Sequence, residues 1–295
     1  MISPDKFNTL PCPTYPDIRL AIAPGAKVAR LMEAALPAAV HIATEGPLGM
    51  AARRFCIKRG LPFTTAYHTR FPEYIHARTR LPLSLSYKFM RWFHRPSSGL
   101  MVATPSLVNE LHERGFPNIK RWTRGVDTDL FQPGDKGLIK DPRPISMYIG
   151  RVATEKNIEA FLKLRLPGTK YVVGGGPQLS QLKRKYPEVR FVGMKMGSEL
   201  AAYVAAADVM VFPSLTDTFG LVILEAMASG VPVAAYNVTG PRDVIGDSGA
   251  GAVADDLGDA VMAALKIPGE NARAHALKYS WDACVDQFAA NLVAA

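Results

Sequence analysis

The run from Val209 to Val233 constrains this chain more than any other stretch. Val209-Met210-Val211-Phe212-Pro213 is an unbroken apolar segment of strand length, and a short polar loop containing Asp217 follows it. A helix is then predicted to open near Gly220 and to carry Glu225 within its first turns, before a second β-rich run starts at Val231. Strand, loop, helix and strand in that order make a parallel crossover. The free backbone N–H groups at the start of such a helix suit an anion such as a pyrophosphate. Asp217 and Glu225 stand eight residues apart, one carboxylate before the helix and one on it. Carboxylates placed there can accept hydrogen bonds from the hydroxyls of a sugar or ribose. The arrangement points to a nucleotide-sugar site, although many strand–loop–helix units do nothing but pack.

A second cluster strengthens that reading. Residues 145–149 form another apolar strand, followed by Gly150, Arg151 and, five residues on, Lys156. Ligands of open α/β sheets bind just beyond the carboxyl ends of strands, where this turn falls. Two cations at one helix start repel each other unless an anion lies between them, and a diphosphate meets that need. The plain alternative is a solvated basic loop.

Short apolar segments alternate with helical stretches through the whole chain, which predicts parallel sheets covered by helices. Strands are expected at 39–43, 63–67, 100–104, 145–149, 171–173, 190–192, 209–212 and 231–235. Helices are expected at 48–59, 107–114 and, with an amphipathic pattern, 281–293. With 48% hydrophobic and 21% charged residues in 295, the composition is that of a globular protein of one large or two ordinary domains. No apolar run reaches membrane-spanning length, and no secretory signal pattern is recognisable. Cys12, Cys56 and Cys284 lack metal-ligand spacing and are read as reduced thiols. The cytoplasm is the expected compartment.

The charge is unevenly placed. Residues 1–144 carry 21 Lys and Arg against 11 Asp and Glu, while residues 145–295 carry 14 against 15, together the +9 of the whole chain. A basic half and a neutral half imply different partners. Nothing resembling a nucleic-acid-binding motif accompanies the basic half, so an anionic membrane surface fits better than nucleic acid. The segment 83–95 is a basic amphipathic helix candidate. Its Lys88, Arg91 and Arg95 fall on one face and Phe89, Trp92 and Phe93 elsewhere. Membrane contact and core packing with a solvated edge both suit it. A position on the inner face of the cell membrane is therefore an expectation.

Taken together, Gly150-Arg151-x-x-x-Glu155-Lys156, the pair Asp217 and Glu225, and Ala226-Met227-Ala228-x-Gly230 resemble the signature of retaining glycosyltransferases of family four. Upstream, His41–Gly49, Ala66–Tyr74, Thr104–Leu107 and Arg124-Gly125-Val126-Asp127 resemble one branch of it. That branch contains GDP-mannose-dependent mannosyltransferases and sulfoquinovosyl- and glucosyl-lipid synthases. The resemblance runs from residue 2 to about 290. It implies the GT-B fold, an α/β architecture of two Rossmann-like domains facing across a cleft. The expected division is an acceptor-side domain over 1–132, a linker over 133–143, a donor-binding domain over 144–280, and a last helix over 281–295 returning to the first domain. The chain opens where family members reach the end of their second strand, so the first domain is expected to lack a β-α-β stretch.

By that resemblance, Gly150, Arg151 and Lys156 bind the donor diphosphate, and the two cations stabilise the leaving nucleoside diphosphate. Glu225 accepts from the ribose hydroxyls and Asp217 contacts the transferred sugar, while Phe219, Gly220 and Leu221 supply backbone N–H groups. His68, at the end of the 63–67 strand, lies near the reacting sugar, and Arg70, Glu45 and Tyr74 hold the acceptor. Arg124 precedes the hinge and is a weaker phosphate candidate. The implied reaction moves a mannose- or glucose-type hexose to a lipid-linked or saccharide acceptor. It retains anomeric configuration through attack on the face of the departing diphosphate, needs no metal or other cofactor, and closes the domains to bring His68 against Asp217 and Arg151. A catalytically impaired, membrane-associated relative is the rival reading, and a nucleotide-sugar 2-epimerase a weaker one. Two patterns invite misreading. Asp127-Thr128-Asp129 looks like a manganese motif, but it follows the hinge, where the resemblance implies a structural role. Gly174-Gly175-Gly176 follows a strand yet lacks dinucleotide-loop spacing.

Overall fold

The computed structural model describes residues 1–12 and 15–295. The chain divides into two compact units, Met1–Trp122 with Asp286–Ala295, and Thr123–Val285.

The first unit opens with an antiparallel hairpin, β1 (Thr9–Cys12) and β2 (Tyr15–Ala21), paired from Thr9↔Ala21 to Cys12↔Tyr15. Only parallel pairing was expected. Each strand of a two-stranded ribbon has one unpaired edge, where a proline costs no ladder bond, and Pro11 stands opposite Arg19. Helix α1 (Gly25–Ala35) leads to a parallel four-stranded sheet in the order β3 (His41–Ile42), β4 (Thr64–Tyr67), β5 (Gly99–Val102), β6 (Ile119–Arg121). The connecting helices are α2 (Pro47–Arg59), then α3 (Phe71–Thr79) with α4 (Leu83–His94), and α5 (Pro105–Glu113). Every residue of β4 and β5 is buried, as strands covered on both faces require. One apolar core centres on Tyr67, Met90, Leu100 and Leu111, and another on Val28, Ile42, Phe63 and Phe93.

The second unit is a six-stranded parallel sheet built from β7 (Ile145–Ile149), β8 (Thr169–Val173), β9 (Arg190–Gly193), β10 (Val209–Phe212), β11 (Val233–Tyr236) and β12 (Gly251–Ala254). Its spatial order is β12-β11-β10-β7-β8-β9. The helices, in chain order, are α6 (Ile158–Lys163), α7 (Leu179–Lys185), α8 (Gly197–Ala206), α9 (Leu221–Ala228), α10 (Thr239–Ile245), α11 (Leu257–Ala264) and α12 (Gly269–Ala276). Strands β7 and β10 are buried at every position. They lie side by side, with Val209 opposite Ser146, although 59 residues separate their nearest ends in the chain. The winding direction reverses between them, so the loops leaving both strands meet at the switch point where open α/β sheets bind ligands.

Residues 133–143, expected as a linker, group with the second unit. Asp135 caps the 3-10 turn Lys136–Leu138 by accepting from the Gly137 N–H at 2.7 Å. Arg143 reaches Asp208 at 2.7 Å, and the other carboxylate oxygen of Asp208 accepts from the Ile145 N–H at 2.7 Å. The last helix, α13 (Trp281–Asn291), starts in the second unit, and its residues from Asp286 onward group with the first. In the first unit Phe288 packs on Trp122, ring centres 4.9 Å apart, and Asn291 donates to the Arg121 carbonyl at 2.7 Å. Cys12, Cys56 and Cys284 are present as thiols, the last two buried. Among the described residues no helix is long and apolar enough to cross a membrane.

Candidate functional site

The two sequence clusters of the second unit meet at the carboxyl ends of β7 and β10. Lys156, at the end of the 3-10 turn Thr154–Lys156, donates to Oδ1 of Asp217 at 2.6 Å. Two further bonds stitch the same loops. Asn157 Nδ2 donates to the Pro213 carbonyl at 3.1 Å, and Thr216 Oγ1 donates to the Glu155 carbonyl at 3.4 Å. The pair is only partly exposed, at 25% and 16% for the two side chains. Oδ2 of Asp217 is buried with no hydrogen-bond partner among the described residues. A carboxylate oxygen held dry and bare costs free energy unless something donates to it, and a sugar hydroxyl can.

The loop geometry depends on close backbone approach. Gly174, after β8, sits so near the β7 turn that a Cβ would lie 1.9 Å from the Gly150 carbonyl oxygen. Gly240, on α10, would place one 2.3 Å from the carbonyl oxygen of Asp217. The Gly174–Gly176 run thus serves as a tight turn under the Gly150–Val152 loop, tied by Val152 N–H to the Gly175 carbonyl at 2.9 Å. Tyr148 anchors the loop from below, its hydroxyl donating to the Arg151 carbonyl at 2.7 Å. Burial first, then the charges of Asp217 and Glu155, push the Tyr148 phenol up, so it stays a donor. The side chain of Arg151 is half-buried on this loop.

Gly220 precedes α9, Leu221 is its first residue, and Glu225 lies in its second turn. Phe219 is buried, with its ring edge-on to Tyr279 at 6.3 Å between centres. Leu221 is 44% exposed. Burial alone pushes the Glu225 carboxyl above its ordinary range. The sign follows: ionising Glu225 costs the folded state more than the unfolded one, so stability is lost as pH rises past the ordinary carboxylate value. Glu225→Gln is therefore expected to gain on the order of 1 kcal/mol at neutral pH, read as a melting point about 2–4 °C higher. The gain should fade as pH drops toward 4.5. The same change removes a charged acceptor, so if Glu225 takes ribose hydroxyls as the sequence resemblance implies, nucleotide binding should weaken about tenfold or more. A calorimetric pH series on both proteins checks each half.

The first-unit candidates fall in separate settings. His68 lies at the end of β4 and packs edge-on against Trp122, centres 5.6 Å apart. Oε1 of Glu45 is 3.1 Å from Nε2 of the buried His94, whose Nδ1 is 3.0 Å from Thr65 Oγ1. Arg70 is buried and bound in parallel to both oxygens of Glu110, at 3.1 and 2.7 Å. Tyr74 is half-buried on α3. In the second unit Arg124 is half-buried and donates to the Thr123 carbonyl at 3.0 Å, and burial lowers its pKa. Oδ1 of Asp127 accepts from the backbone N–H groups of Asp129 and Leu130 at 3.1 and 2.9 Å, the work of a turn. Among the described residues no group of three or more His, Cys, Asp or Glu is placed to hold a metal ion.

Sequence reasoning missed His94, Glu110 and Tyr148. His94 and Glu110 act through partners 49 and 40 residues away, which no local pattern announces. Tyr148 lies inside a predicted strand and looks like core.

Two families cover nearly the whole chain: Glycosyltransferase Family 4 over residues 3–130 and Glycosyl transferases group 1 over residues 134–274. A GDP-mannose-dependent alpha-mannosyltransferase of Mycobacterium tuberculosis is 31% identical over 219 residues, which are 71% of this chain and 58% of that protein. The sulfoquinovosyl transferase SQD2 of Arabidopsis thaliana is 27% identical over 308 residues, 94% of this chain and 60% of that protein. The chain thus spans about 60% of the length of these relatives. Among solved structures, sucrose-phosphate synthase from Thermosynechococcus elongatus has a TM-score of 0.77 at 22% identity, covering 90% of this chain and 76% of that one. The shared fold is the two-domain α/β architecture called GT-B. With both halves matching one enzyme class and the two motif clusters joined at the switch point, the chain carries a Glycosyltransferase Family 4 domain followed by a Glycosyl transferases group 1 domain.

Proposed function

We propose that this protein transfers a mannose- or glucose-type hexose from a nucleoside diphosphate sugar to a lipid-linked or saccharide acceptor, with retention of anomeric configuration and without a metal. The observation that carries the reading is the Lys156–Asp217 pair with its bare, buried Oδ2 beside the switch-point loops. An ammonium and an unsatisfied carboxylate oxygen side by side suit a ligand that brings an anion and a hydroxyl together. A sugar diphosphate is such a ligand. Lys156 and Arg151 would take the negative charge that grows on the diphosphate as the glycosidic bond breaks, when it is worth most to the transition state. Asp217 Oδ2 would accept from a hydroxyl of the transferred hexose, fixing the ring before the bond breaks. Glu225 would accept from the ribose. The departing phosphate oxygen would take the proton of the incoming acceptor hydroxyl, which attacks from the same face. His68 belongs to the acceptor side of this scheme, where Glu45, Arg70 and Tyr74 would hold the acceptor.

Thermal shift with UDP, GDP, UDP-glucose and GDP-mannose, each with and without a chelator, tests the donor half. One nucleotide at about 100 times its Kd should stabilise the fold by about 2.7 kcal/mol. Arg151→Ala should abolish the shift and chelation should leave it unchanged. A folded protein that none of the four stabilises would overturn the reading and favour a non-catalytic relative.

A further inference from the structure

Helix α4 has two apolar faces where a surface helix needs one. Its inner stripe, with Ser86, Tyr87, Met90, Phe93 and His94, is buried. A second stripe, Leu85, Phe89 and Trp92, follows the same helical spacing on the solvent side and is 54%, 44% and 48% exposed. The grouping expected from the sequence alone is changed in one respect: Phe93 is wholly buried, while Phe89 and Trp92 are not. Beside this stripe lies α2. Arg53 of α2 joins the two helices, stacking over the Trp92 ring at 4.0 Å and donating to the carbonyls of Phe93 and Trp92 at 2.9 Å each. A groove of about 270 Å³ runs between them, lined by Met50, Arg53, Arg54, Ile57, Lys58 and Trp92. Ile57, at 48%, is exposed as well.

The charges on α2 and α4 have one sign. Helices α2 and α4 contain Arg53, Arg54, Lys58, Arg59, Lys88 and Arg91 and no Asp or Glu. Arg59 is met by Glu33 of α1. Arg91 donates to the Arg114 carbonyl at 3.1 Å. Arg54, Lys58 and Lys88 are exposed beside the apolar stripe. Large apolar side chains beside exposed cations match the boundary of an anionic bilayer, where rings and aliphatic chains enter the acyl region and ammonium and guanidinium groups meet lipid phosphates. A protein partner would present its own carboxylates to such a face, but would have no need of three adjoining cations around an aromatic wedge. Nucleic acid would be met by the cations, but would leave Leu85, Phe89 and Ile57 unaccounted for.

We infer that the exposed side of α2 and α4 is a docking face for an anionic membrane surface. Leu85, Phe89 and Trp92 insert, and Arg54, Lys58 and Lys88 hold the headgroups. This goes beyond the transferase reading, because docking requires neither donor nor acceptor.

Flotation with vesicles of phosphatidylcholine alone, and of phosphatidylcholine mixed with phosphatidylglycerol, tests it at low and high salt. The full chain should float with the mixed vesicles only, and high salt should release it. The double variant Arg54→Gln, Lys58→Gln should bind on the order of 30-fold more weakly, as two lost phosphate contacts imply. Phe89→Ser, at an exposed position, should keep the fold, checked by an unchanged melting point, and should also lose binding. Equal uptake by both vesicle types, no uptake, or uptake unchanged in both variants overturns the inference. So does retention on RNA that anionic vesicles cannot displace. Any of these leaves nucleotide binding in the thermal-shift assay intact, so this failure is separable from failure of the transferase reading.

Discussion

Lys156→Ala should lower the turnover of hexosyl transfer by about 10²–10³-fold, the loss typical when one preorganised donor to a developing anion is removed. The ammonium that now meets Asp217 at 2.6 Å stands beside the carboxylate proposed to hold the sugar. The same variant should also lose stability, by about 1–3 kcal/mol, because it leaves both oxygens of a mostly buried carboxylate unpaired. Two effects from one substitution can be confused, and a second variant separates them. Lys156→Met with Asp217→Asn removes both charges, so its melting point should return close to the starting value. Its turnover should stay low. Recovery of activity together with stability would show that the pair serves the fold alone.

Arg70→Met should destabilise the first unit by about 3–5 kcal/mol, the usual result of breaking a buried pair by removing one partner. Arg70 binds Glu110 through both carboxylate oxygens, with side chains 10% and 21% exposed, and ties the N-terminal end of α3 to α5. Arg70→Lys should recover little, since one ammonium cannot reproduce the planar fork. The pH dependence has a definite sign. Burial raises the Glu110 pKa, but Arg70 and then Arg114 outweigh it and hold the carboxyl below its ordinary range. A depressed carboxylate adds stability above the unfolded value, here the ordinary 4.5, and that stability is lost as pH falls through the folded value. The gap between wild type and Arg70→Met, measured by urea melts across pH, should therefore be full at neutral pH and close in acid. If the melts coincide at neutral pH while the KM for acceptor rises, Arg70 serves the acceptor instead.

Strands β7 and β10 were legible because they are buried at every position and read as apolar runs, whereas β12, only half-buried along its length, was not expected. Those at 145–149 and 209–212 coincide with the observed β7 and β10 to the residue. The strand expected at 231–235 begins later, at Val233, because Gly230 and Pro232 keep the chain in the turn. The hairpin β1–β2 escaped notice, since a proline in each strand argues against a ladder unless the strand stands at an edge. His94 escaped for a different reason. It lies on a helix whose pattern is satisfied by treating it as the last residue of an apolar stripe, and only the folded chain brings Glu45 and Thr65 to its ring.

What the residues determined by themselves was local: which segments are strands, where glycines allow a turn, and which cations and carboxylates leave the ends of β7 and β10. Arg151, Lys156, Asp217 and Glu225 could be picked out because their chemistry is stated by residue type and spacing. The contact between Lys156 and Asp217 could not. It comes from the sheet order, which seats β10 against β7 after two intervening strands have been laid on the other side. Tertiary structure also decided which atoms are satisfied. The bare Oδ2 of Asp217, the locked guanidinium of Arg70 and the outward turn of Phe89 and Trp92 each depend on what packs around them. Burial and hydrogen bonding belong to the assembled chain, where residues distant in sequence compete for the same space and the same donors.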